Sequence, residues 1–140
     1  MFGREQCVRL YNTLNFFDSD KDAPLEHWMT MPNMGFLVAS KYNVILHVLT
    51  NAGSMTYLPF RSSPPVWYEH VAIAIGHVNN NHYVKVVLTG GYPMPTIMPQ
   101  WVHFKYDCAT AWVTPYKDRI NNYSQYLRSN SVIKNVILDD

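Results

Sequence analysis

Val71-Ala-Ile-Ala-Ile-Gly-His-Val-Asn-Asn-Asn-His-Tyr-Val-Lys-Val-Val-Leu88 spells two β-strands joined by an asparagine turn, and the reading of the whole chain turns on it. Val71, Ile73 and Ile75 alternate with small Ala72, Ala74 and Gly76, the period-two pattern of a half-buried strand. Beyond the turn, His82, Val84, Val86 and Leu88 share one face, while Tyr83 and Lys85 share the other. Asparagine tolerates the left-handed backbone that two-residue hairpin loops demand, so Asn79-Asn80 is expected to close the turn. Such a loop sets His77 opposite His82 and Ile75 opposite Val84. His82 then stands first in its strand beside a turn, a position suited to a catalytic base.

Upstream of the hairpin, Val44-Ile-Leu-His-Val-Leu-Thr50 is apolar on both faces, the signature of a central strand covered on both sides. His47 inside it reads as a buried structural histidine. A helix is expected before that strand. It would be capped by Thr30, with Pro32 in its first turn, a stripe of Met34, Leu37, Val38 and Tyr42, and Asn43 as a left-handed stop. Gly35 and Ala39, four residues apart, leave room for a close neighbour. Earlier still, Val8, Tyr11, Leu14 and Phe17 recur at helical spacing. Met55 to Phe60 reads as a short strand held to an edge or strand end by Pro59. Gly90 to Pro99 is a proline-punctuated extended segment. A last helix opens at Thr114-Pro115 and places Tyr116, Ile120, Tyr123 and Leu127 on one face, and residues 129–140 read as a weakly structured tail.

The totals set outer bounds. With 140 residues, 48% apolar and 15% charged, the chain has the composition of one folded domain. A net charge of +1 gives no electrostatic reason to expect nucleic acid or an anionic membrane surface. No apolar run approaches the roughly 20 residues of a membrane span. The two cysteines, Cys7 and Cys108, form no disulfide framework, which points to a reducing compartment, cytoplasm or nucleus. Ten tyrosines raise the aromatic share to 14%, enough for a large core or a recognition surface.

Four strings in order, Trp28-Met-Thr-Met-Pro-Asn-Met-Gly35, Ala39-Ser-Lys-Tyr-Asn43, Leu58-Pro-Phe-Arg61 and Gly76-His-Val-Asn-Asn-Asn-His-Tyr-Val84, make the chain distinctive. Together with Trp101, Trp112-Val-Thr-Pro-Tyr116 and Arg119-Ile120, they resemble the ovarian-tumour (OTU) family of cysteine proteases. More narrowly, they resemble the OTU-like domains of plant proteins linked to transposable elements. The resemblance runs from about Arg4 to Leu127. It implies an α/β (α+β) fold with a small, mostly antiparallel sheet packed between helices, papain-like in outline and incomplete at the N-terminus, spanning residues 1–128. It also implies hydrolysis of the bond after the C-terminal glycine of ubiquitin or a relative. A thiolate attacks, a histidine moves the proton, and a third residue orients the histidine.

By that resemblance His82 is the general base, and ubiquitin or a ubiquitin-like protein is the partner. Two departures stand out. The family's Asp-Gly-x-Cys nucleophile segment does not occur here, so the reading is of a domain that begins after it and is inactive alone. The position two beyond the histidine, where the family often keeps its orienting residue, is Val84, which accepts no hydrogen bond. Asn81, in the adjacent turn, is the candidate orienting residue. Cys7 is the substitute nucleophile, with a nearby arginine in Arg4-Glu-Gln-Cys-Val-Arg9 to lower its pKa but no glycine-bearing turn for an oxyanion hole, and a helix-face cysteine is the simpler expectation. Trp67 and Tyr83 are the candidate substrate contacts. No cofactor and no resident metal are expected on this reading, and uncovered core surface would favour self-association.

Two other classes compete. His77, His82, His103 and Cys108 offer four zinc-type ligands at regular spacing, His77 and His82 side by side in the expected hairpin. Alternatively, Tyr57, Trp67, Tyr68, Tyr92 and Trp101 form the face of a non-enzymatic binding module. For Trp67 and Trp101 the simpler expectation is that they fill the core.

Overall fold

The computed structural model describes residues 3–15, 18, 20–28 and 30–138. Among the described residues, four α-helices accompany a five-stranded mixed sheet: α1 (Arg4–Leu14), α2 (Asn33–Tyr42), β1 (Ile45–Leu49), β2 (Met55–Tyr57), β3 (Ala72–Val78), β4 (His82–Val86), β5 (Thr96–Ile97), α3 (Pro99–Phe104) and α4 (Lys117–Leu138). The α+β class read from the sequence therefore holds. The strand order is β4-β3-β1-β2-β5. β1–β2 and β3–β4 are antiparallel, while β1–β3 and β2–β5 are parallel, so the two kinds of ladder share the sheet equally.

β1 is the middle strand, and its sequence shows why. Ile45, Leu46, His47 and Val48 are all buried, because both of its faces are covered. Leu46 and Val48 share a face with Tyr57 and Met55 across the ladder, and α2 packs there. Gly35 is the reason α2 fits so closely. A Cβ on it would lie 2.6 Å from the Tyr57 ring, so any side chain there would force that buried ring to shift. Ala39, one turn on, is fully buried. Asn43 ends α2 at φ 52°, and Val44 N–H bonds back to Ala39 C=O at 3.1 Å, the left-handed stop read from the sequence. The helix begins at Asn33 rather than at the expected cap. Thr30 contributes its carbonyl to Met34 N–H instead of its hydroxyl. Tyr42, assigned to the apolar stripe, is exposed, and Phe36 takes its place in the core.

Helix α1 forms where the spacing predicted it, but among its described side chains the buried one is Leu10, while Val8 and Tyr11 face solvent. Phe17 lies outside the described residues. β2 ends at Tyr57, two residues before Pro59, and is flanked by β1 and β5 rather than lying at an edge. The segment expected to be a weak tail from Ser129 is helical as far as Leu138, as a continuation of α4. Asp139 and Asp140 lie outside the described residues. No described helix is long and apolar enough to cross a membrane.

Four consecutive carbonyls after β2 are each claimed by a different donor. Trp101 Nε1–H bonds Pro59 O at 2.9 Å, and Tyr106 N–H bonds Phe60 O at 2.7 Å. Cys108 Sγ–H bonds Arg61 O at 3.2 Å, and Trp112 Nε1–H bonds Ser62 O at 2.8 Å. The Leu58-Pro-Phe-Arg61 string is thereby tied, as irregular backbone, to α3 and the 3-10 turn Asp107–Trp112. Trp101 and Trp112 fill the core as they make these bonds.

Candidate functional site

The hairpin turn forms as its asparagines predicted. Asn79 and Asn80 sit at φ 53° and 59°, and Asn81 N–H bonds Val78 O at 3.3 Å, the two left-handed residues of a type I′ turn. The pairing beyond it differs from expectation by one residue. Val78 is paired with His82, His77 with Tyr83 and Gly76 with Val84. Asn81 is the extra residue on the β4 side, a bulge next to the turn. Because side chains alternate with period two, that one residue carries His82 to the face opposite His77. His77 instead stacks on Tyr83, ring centroids 4.7 Å apart and planes 25° from parallel.

This geometry separates the four zinc candidates. His77 and His82 lie on opposite faces of the hairpin. Among the described residues no group of three or more His, Cys, Asp or Glu side chains converges on one point.

An open cleft of about 910 Å³ lies beside the hairpin, on the face that carries His77 and Tyr83. Val48, Met55 and Tyr57 line it from β1 and β2, and Leu25, Trp28 and Met31 from the segment before α2. Asn80, Asn81 and His82 also border it, at the turn. Of the sequence candidates, Tyr83 and Asn81 line this opening, and His82, on the other face of β4, only borders it at the turn. His82 begins β4, is exposed, and has no hydrogen-bond partner among the described residues. Asn81 is exposed and makes no side-chain bond to the imidazole, so it does not orient it here. Tyr57 contributes a hydroxyl held firmly protonated. Burial, helped by the neighbouring Tyr83, pushes its pKa up to about 12, and burial raises that of Tyr83 as well.

Neither thiol lines this cleft. Cys7 borders a separate cavity with Phe36 and Phe104, and Cys108 donates to Arg61 O. Trp67 does not line it either. It is 73% exposed on the 3-10 turn Trp67–Glu69, edge to face with Tyr68, which corrects the expectation that it fills the core. It follows Pro64-Pro65 outside any regular element and has no sheet or helix face to bury. The five-ring face expected of a binding module divides accordingly. Tyr57 is in the cleft, Trp67 and Tyr68 protrude, Trp101 is core, and Tyr92 serves another histidine.

That histidine is His47, on the opposite face of β1. Thr56 Oγ1–H donates to Pro95 O at 2.7 Å, so it must accept from His47 Nδ1–H at 2.9 Å. Nε2 is then the acceptor for Tyr92 O–H at 2.6 Å. The partners thus assign the Nδ1–H tautomer of a neutral ring. Burial, with the Arg119 guanidinium nearby, pulls its pKa down to about 4. Arg119 lies 4.2 Å from the Tyr92 ring centre and bonds Tyr92 O at 2.9 Å, joining α4 to the network. His70 is held similarly, accepting from Tyr116 O–H at 2.6 Å and donating to Pro65 O at 2.9 Å. Both rings have spent their nitrogens on the fold, and sequence reasoning had no signal for their tyrosine partners, which lie 45 and 46 residues away.

Comparison of the chain with protein-family models, curated proteins and solved structures finds no match.

Proposed function

We propose that these 140 residues form a non-catalytic binding domain of OTU-like type, which receives an extended segment of a ubiquitin-type partner in the cleft beside the β3–β4 hairpin. The observation that carries this reading is the composition of the cleft. It joins aromatic and apolar walls (Trp28, Met55, Tyr57) to amide and imidazole groups at one end (Asn80, Asn81, His77), and it includes neither thiol. Rings supply contact area and fixed polar groups supply hydrogen bonds to a peptide backbone, the combination that recognition surfaces use. A thiol hydrolase needs sulfur within hydrogen-bond reach of its base, about 3 Å. The family resemblance rests on the order and spacing of the sequence motifs, and the α+β layout is compatible with it.

Titration of isotope-labelled ubiquitin with the purified chain tests the binding. Shifts confined to one ubiquitin surface, weakened by Trp28→Ala or Tyr83→Ala, are expected. An unperturbed spectrum at millimolar protein removes the proposal. Incubation with a ubiquitin carrying a C-terminal fluorogenic leaving group tests the absence of catalysis. Release that disappears in Cys7→Ala would show the domain to be a hydrolase.

A further inference from the structure

A second cavity, of about 710 Å³, opens between α1, α2 and the pinned segment after β2, and shares no residue with the cleft. Its walls are mostly apolar, Phe36, Leu37, Phe60 and Phe104, with the Phe36 and Phe60 rings 4.5 Å apart, and Ser40, Ser62 and Tyr106 add hydroxyls. Among the described residues its one charged lining residue is Arg61, whose guanidinium lies 5.3 Å from the Tyr106 ring centre. Among the described residues no acidic side chain lines the cavity and no carboxylate pairs with Arg61. The backbone on both sides of Arg61 is fixed by the carbonyl bonds from Trp101, Tyr106, Cys108 and Trp112, so the guanidinium projects from a rigid wall.

We propose that this cavity is a binding site for an apolar monocarboxylate of the medium-chain carboxylic acid class, chain among the phenylalanines and carboxylate on Arg61. The volume falls within the roughly 300–1,000 Å³ of small-ligand pockets. A guanidinium without an acid partner, at the mouth of a ring-lined cavity, complements one planar anion joined to an apolar body. A nucleotide or sugar phosphate would find a single cation and few hydrogen-bonding groups. A neutral lipid would leave Arg61 unused.

Cys7 lines the cavity and serves as its reporter. In the full chain carrying Cys108→Ser, which keeps a donor for Arg61 O, the alkylation rate of Cys7 by N-ethylmaleimide is followed against decanoate below its micelle concentration. Saturable loss of that rate is expected, with decanol much less effective. Arg61→Gln should raise the decanoate requirement by about tenfold. A thermal melt accompanies each titration, and bound decanoate should raise the midpoint. Unprotected Cys7, equal protection by decanol, an unchanged requirement in Arg61→Gln, or a lowered melting midpoint each overturns the site.

Discussion

His47 and His82 are both sheet histidines, yet they occupy opposite extremes of environment. His47 is 1% exposed in the central strand, with both nitrogens bonded and its pKa drawn down to about 4. His82 opens the edge strand, exposed, bordering a cleft and bonded to nothing described. A shifted pKa is often taken as a pointer to function. Here it marks the histidine whose nitrogens are committed to Thr56 and Tyr92, while the exposed ring at the hairpin holds no partner among the described residues. Burial produces the shift, and burial also removes the ring from any substrate.

The contrast can be broken most directly at His47. Replacing it with Ala leaves the Thr56 and Tyr92 hydroxyls without their partner and opens a void under the sheet. A loss of about 3 kcal/mol in a urea melt is expected. Acid should reach the same site without mutation. The folded ring titrates near 4 and the unfolded ring near 6.5, so between those values the unfolded chain binds a proton that the folded one refuses. Stability from His47 is complete above pH 6.5 and is lost as pH falls toward 4. The total is roughly 3 kcal/mol, and His47→Gln should flatten that slope. If the wild-type and His47→Gln stability profiles run parallel over this range, the ring is not held neutral by its surroundings.

On the hairpin the expected effects are smaller. Tyr83→Ala removes the stack on His77 and should cost about 1 kcal/mol, with cross-strand nuclear Overhauser contacts running from His77 to Tyr83 in the wild type and none from His77 to His82. Contacts between the two imidazoles would show the bulge at Asn81 to be misplaced. The smallest effect belongs to His82→Ala. It should change stability by less than about 0.5 kcal/mol and leave the alkylation rates of Cys7 and Cys108 untouched. A slowed thiol in that variant would restore the catalytic pair that the geometry separates.

How far the sequence could be read follows from the kind of signal each part carries. β1 was legible because an unbroken apolar run has few alternatives, and His47 was correctly read as structural from its place in that run. The turn was legible from asparagine chemistry. Its register was not, because Asn79, Asn80 and Asn81 are chemically identical, and nothing local says that the third is an extra residue. That ambiguity decided which face received His82. β5 is two residues long between prolines, too short for a period, and α3 starts on Pro99 without a capping side chain. The cleft itself has no sequence signature. Its lining comes from residues 22–31, 48–57 and 77–83, which meet only when the sheet is assembled.

The run of claimed carbonyls from Pro59 to Ser62 separates two stretches that look equally loop-like in the sequence. Asn51 to Gly53 is exposed and closed only by local Thr50 and Ser54 bonds, so a tag, a cut or new chain ends should be accepted there. The same surgery at Arg61-Ser62 would detach two indoles, a thiol and a backbone amide from their acceptors at once. The fold should tolerate new chain ends at the first site, where Gly53 borders the cleft, and a cut at the second should release α3 and the turn after it from the sheet.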